Sequence, residues 1–159
     1  MDSSSEQPEP PKSPCLIVKA VLLVFSMICA TFGLFFFAYN LHGRAVYSSQ
    51  TLAVVCGLYM HQVYLSTKGK LLELYSFRRF KAIFIVGVVV GVIQLLATVS
   101  YAILGLFYHQ RFYINHGFYV GAIPSSMACC WAFLLAYESK RHMKEVGPDV
   151  DDRIPHIIQ

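Results

Sequence analysis

The chain has 159 residues, of which 56% are apolar and 14% charged, with a formal net charge of +4 and a mean hydropathy of +0.52. A soluble domain carries roughly a quarter charged residues; here the apolar residues instead fall in blocks about twenty long, the length that crosses a hydrocarbon layer. These numbers exclude a soluble enzyme, a secreted disulfide scaffold and an ordinary nucleic-acid-binding module.

In chain order, Met1 to Pro14 is rich in Ser, Pro and Glu and holds no large apolar side chain beyond its first Met, so disorder is predicted for 1–14. A first span follows over 16–39, with Lys19 near enough to its end to snorkel toward headgroups. The second, 45–66, is the weakest because Gln50, His61 and Gln62 interrupt it. The third, 82–108, has no charged residue. A fourth runs over 117–137 and contains Pro124, where a kink is predicted. The segment 139–159 is read as a polar tail behind a transmembrane domain covering 15–138. The runs are continuously apolar rather than alternating, which selects helices over a barrel. The predicted fold is an all-α integral membrane protein with four transmembrane helices.

Basic residues set the orientation. Eleven of the 13 Lys and Arg fall before the first span, between the second and third, or after the fourth; Arg44 and Arg111 are the exceptions. The positive-inside bias places the N- and C-termini in the cytosol. The five cysteines (Cys15, Cys29, Cys56, Cys129 and Cys130) lie in or beside apolar segments without a CxxC pair, so buried free thiols are predicted. Gly87 and Gly91 form a small-xxx-small pair suited to close helix packing, within the bundle or between protomers. Gln94 reads as an interhelical hydrogen-bonding residue.

No catalytic motif or phosphate-binding glycine loop is present, and no enzymatic activity is predicted. The informative side chains are histidines. His42, His109 and His116 fall in the exoplasmic loops, His61 within the second span, and His142 beyond the fourth. Imidazole ligates metals and tolerates burial, and ionisable residues at membrane depth are functional by default. The competing reading of His61 is a helix–helix hydrogen bond.

Three segments carry a family resemblance. Leu58-Tyr59-Met60-His61-Gln62-Val63-Tyr64 is an aromatic/Met stretch with a histidine. Tyr101 to Gln110 ends a span in His109-Gln110. Cys130-Trp131-Ala132-Phe133-Leu134-Leu135 is followed by Glu138-Ser139-Lys140-Arg141-His142. Together, over about 45–142, they resemble the heme-responsive-gene family of heme transporters, four-helix proteins with cytosolic termini. The resemblance implies movement of heme from an exoplasmic or endolysosomal lumen to the cytosol, with heme as transported ligand.

It also implies a heme-handling set of His61, His109, Tyr59, Lys140, Arg141 and His142, with His61 and His109 as the iron ligands. Ferric heme accepts His or Tyr axially, and its propionates suit Lys or Arg. Four helices enclose little volume for a macrocycle, so a homo-oligomer with its path at a protomer interface is predicted. The acidic then apolar tail from Glu145 to Ile158 points to an endolysosomal membrane, with the plasma membrane as the other location. The alternative function is a non-transporting tetraspan scaffold or accessory subunit that binds partner proteins or lipid.

Overall fold

The computed structural model describes residues 14–39, 43–109 and 117–146. Residues 1–13, His42, Arg111, His116 and the tail beyond Val146 lie outside them. The described residues form five helices: α1 (Pro14–Tyr39), α2 (Gly43–Thr67), the single turn α3 (Leu71–Leu74), α4 (Phe77–Phe107) and α5 (Phe118–Val146). There is no strand among the described residues, so the protein is all-helical. Three helices, α1, α4 and α5, are long and apolar enough to cross a membrane.

α2 is as long as these but less apolar, for a reason visible in its packing. Its polar residues Ser48, Ser49 and Gln62 are almost fully buried in the bundle. The outward face of α1, by contrast, is uncovered and apolar, with Phe25, Phe32 and Phe35 each more than half exposed. Such a surface inverts the usual arrangement of a soluble protein and suits a lipid solvent.

The long helices stand in the spatial order α1–α2–α5–α4. Side-chain pairs give their directions. Lys19 meets Glu138 and Ser26 meets Trp131, so α1 runs against α5. Tyr59 meets Trp131 and Gln62 meets Ser139, so α2 runs along α5. Phe80 meets His142 and Gln94 meets Ser125, so α4 also runs against α5. The start of α1, the end of α2, the start of α4 and the end of α5 therefore share one end of the bundle. Lys68, Lys70, Arg78, Arg79, Lys81 and Lys140 are all carried there, and it is called the basic end below.

Glycine allows α4 and α5 to approach closely. A Cβ on Gly87 would lie 3.0 Å from the Ala132 carbonyl oxygen, and one on Gly91 would lie 2.9 Å from the Phe133 ring. This pair is used inside the bundle. Nearby, the Ser125 hydroxyl donates toward Gln94 Oε1 (2.7 Å) and the Gln94 carbonyl (2.9 Å), both atoms of α4. Gln94 is thus the interhelical residue its position suggested. α5 continues unbroken through buried Pro124, which cannot donate to the Val120 carbonyl one turn earlier.

Several boundaries differ from those read in the sequence. Pro14 opens α1, a position that its fixed φ and missing N–H suit. α4 begins at Phe77, because Arg78, Arg79 and Lys81 are helical although charged. α5 does not stop at Tyr137; its last turns to Val146 are polar on one side and pack Met143 and Val146 on the other. Cys29, Cys56, Cys129 and Cys130 are free thiols; Cys56 and Cys129 are buried, while Cys29 and Cys130 are exposed. Adjacent positions on a helix face different sides, which separates Cys129 from Cys130.

Close packing at Gly87 makes a specific forecast. Gly87→Ala must displace backbone as well as the Ala136 methyl, so it should lower the unfolding free energy of the detergent-solubilised protein by about 1–3 kcal/mol. Gly57→Ala, where a Cβ meets nothing within 4 Å, should lose none. Thermal melting of the two variants against wild type checks the difference.

Candidate functional site

The basic end has a small core of its own. α2 ends with Gly69 at φ +67, with Lys70 N–H bonded to the Leu65 carbonyl and Gly69 N–H to that of Ser66. This is the Schellman arrangement, which favours glycine in the left-handed slot. The chain then turns through α3 and into α4, burying Leu65, Leu71 and Phe80 together, with Tyr75, Met143 and Val146 packed against them.

That core holds a train of four rings. His61 Nδ1 lies 2.9 Å from the Tyr75 hydroxyl. The Tyr75 ring rests against Phe80 with centroids 5.3 Å apart, and Phe80 is stacked on His142 at 5.6 Å and 30°. Phe80 is fully buried, and the Tyr75 N–H is tied to the Leu71 carbonyl. Two of the histidines singled out in the sequence, distant along the chain, are thereby joined through Tyr75 and Phe80. His61 itself is exposed, and its Nε2 has no partner among the described residues.

The remaining candidates divide. His142 is half-buried and bonded to Glu145 Oε2 at 3.0 Å, and Arg141 Nε lies 3.6 Å from the other oxygen of the same carboxylate. Lys140 is exposed, its Nζ 6.0 Å from the centre of the Phe84 ring, the outer limit of a cation–π contact. Tyr59 is 2% exposed and packs on Trp131. Two residues apart on one helix, Tyr59 and His61 point to different sides, so they cannot ligate one iron together in this arrangement.

His109 is at the other end of the bundle, about 45 Å from the basic end if α4 is taken at 1.5 Å per residue. It ends α4 in the left-handed region, φ +47, with its N–H on the Leu106 carbonyl. This matches the position that Gly69 occupies after α2. His109 is exposed, and its ring has no partner among the described residues.

Sequence reading missed a polar cluster just inside the basic end. Lys19 does not simply snorkel: its ammonium lies 2.5 Å from Glu138 Oε1, where the carboxylate side chain is only 14% exposed. Glu138 is thus an acidic group within the helical body, paired across the bundle. One layer away, Gln62 Nε2 donates to Ser139 Oγ at 3.2 Å, while buried Gln62 Oε1 has no partner among the described residues. Lys19, Tyr59, Gln62, Ser66, Glu138 and His142 line a cavity of about 40 Å³ between α1, α2 and α5, large enough for one water molecule.

In the opposite half, α1 diverges from α5. Between them and α2 lies an apolar cavity of about 500 Å³ lined by residues including Phe32, Phe36, Phe37, Pro124 and Met127. Its size is that of a small-molecule pocket.

No protein-family model, no curated protein and no solved structure matches the chain. Among the described residues, no three His, Cys, Asp or Glu side chains converge to hold a metal ion.

Two variants follow from this geometry. Glu138→Leu removes the carboxylate that pairs α5 with Lys19 and should cost about 1–3 kcal/mol, whereas Lys19→Met with Glu138→Leu should recover most of that loss; melting of the single and double variants decides. At the far end, His109→Gly removes the imidazole and relieves the left-handed backbone cost, so stability should hold or rise by up to about 1 kcal/mol. His109→Val, β-branched at positive φ, should melt lower.

Proposed function

We propose that the chain is a heme permease with four membrane-crossing helices, α2 among them, and both termini in the cytosol. The orientation rests on the basic end, which the positive-inside rule assigns to the cytosol. α2 is assigned as a span because it runs the length of the bundle beside α1 and α5 and buries its polar residues there. Heme would move from an exoplasmic or endolysosomal lumen, past His109, to His61 at the cytosolic end.

The observation that carries this reading is the surface at the basic end. An exposed imidazole with a free Nε2 shares that end with a row of stacked rings and with Lys140 and Arg141. The exposed imidazole suits the iron and the exposed cations suit the propionates, while the rings behind them hold His61 in place through Tyr75. The separation of His61 from His109 fits successive stations better than a single bis-His site. The apolar cavity between α1 and α5 supports passage of a flat apolar ring. The transporting unit is read as a homo-oligomer, with the uncovered α1 face available to a second protomer.

The test is growth and heme uptake in heme-auxotrophic cells, with protein abundance in the membrane matched between variants. Wild type should support both. His61→Ala, His109→Gly and Arg141→Ala should each lower uptake, with His109→Gly preferred over alanine because it keeps the end of α4 intact. Abundant wild-type protein that moves no heme would reject the permease and favour the scaffold.

A further inference from the structure

We infer that Tyr75 is the positioning residue of the His61 site, accepting a hydrogen bond from His61 Nδ1–H and so leaving Nε2 as the bare, iron-binding nitrogen. The inference rests on the reading of His61 as a heme ligand. It adds a residue outside the set that the sequence pointed to, together with the atom of His61 that binds.

A neutral imidazole carries one proton on its two nitrogens, and a metal takes the nitrogen without it. Which one that is follows from the hydrogen bond made by the other. In this structure the engaged nitrogen is Nδ1, 2.9 Å from the Tyr75 hydroxyl oxygen. A phenol oxygen can accept as well as donate, so iron at Nε2 selects the tautomer in which Nδ1–H donates to Tyr75. Partners of this kind orient a ligating ring and raise its basicity.

The tyrosine is suited to the task because it is fixed independently of His61. Its N–H is bonded to the Leu71 carbonyl, and its ring packs on fully buried Phe80. Phe80 is held in turn by Leu65, Leu71 and the His142 ring. The hydroxyl therefore stands in place before any ligand arrives, as preorganised sites require. α3 and its turn also acquire a purpose: they deliver Tyr75 from the loop to the exposed His61 ring, whose centroid lies 6.0 Å from that of the tyrosine.

Tyr75→Phe removes one oxygen and keeps the ring on Phe80, which makes it the informative variant. The full chain in detergent is titrated with hemin, and the iron–imidazole stretch of the reduced complex is read by resonance Raman. Tyr75→Phe should weaken hemin binding about 10–100-fold and move the stretch to lower frequency, with apo melting unchanged. In a His61→Ala background, Tyr75→Phe should cost nothing further, because its effect passes through His61.

Unaltered affinity and stretch in Tyr75→Phe, in a protein whose hemin binding does depend on His61, would overturn the role of Tyr75 while leaving the heme reading intact. A full additional loss in the His61→Ala background would overturn it likewise. Wild-type protein that binds no hemin, or binds it equally well without His61, would overturn both.

Discussion

The Lys19–Glu138 ion pair is the contact on which the arrangement of the long helices turns. An apolar bundle in an apolar solvent has no hydrophobic reason to choose one neighbour over another, so polar groups and close packing decide. Lys19 on α1 finds its carboxylate on α5, a helix distant in sequence, and this fixes α1 antiparallel to α5 and at a set height. Trp131 donating to Ser26 two turns away confirms the same register. Next to the ion pair, Gln62 and Ser139 bind α2 to α5 at that height. Beyond these ties α1 is free to diverge, and the apolar cavity opens where they end.

α5 is accordingly the helix that the others read. It meets α4 through glycine contacts and the Gln94–Ser125 bond, α2 through Tyr59 and Gln62, and α1 through Glu138 and Trp131. This explains why α5 carries so many small and polar residues at buried positions (Gly121, Ser125, Ala128, Ala132, Ser139). They permit close approach on several sides and provide hydrogen bonds where lipid cannot. The same helix delivers His142 to Phe80, so the packing that builds the bundle also builds the ring train.

The parts of this arrangement that a sequence declares are those governed by local composition. The apolar runs of α1 and α4 are long and free of charge over most of their length, and Gln94 stands out as the one amide side chain between Ala82 and Tyr108. Gly87 and Gly91 announce close packing, though their spacing alone does not say against what. Helix ends were harder to read, because Arg78, Arg79 and the turns after Tyr137 are charged yet helical. α3 was invisible, being one turn long. The pairings Lys19–Glu138, Gln62–Ser139 and His61–Tyr75 depend on which helices are neighbours, and no periodicity encodes that. Glu138 stood at the last position of the transmembrane domain with nothing to mark a partner, and Tyr75 carried no assigned role. His109 was legible as a histidine in a loop but not as the residue that ends α4 in a left-handed conformation, a slot where glycine gives the sequence its usual signal.

The start of α4 shows that the helix dipole does not place the cations. Ser76 makes no side-chain cap bond, and the first turn holds Arg78 and Arg79 with no acidic residue. Cations there oppose the helix dipole, at about 0.3–1 kcal/mol each. Arg79 offsets part of this by donating to the Leu74 carbonyl at 3.0 Å, at the end of α3. Arg78 and Lys81 are exposed and lie on the same unfavourable terminus. The helix by itself would place acids here. The dipole of α4 therefore does not select these cations, which gather with Lys68, Lys70 and Lys140 at one end of the bundle.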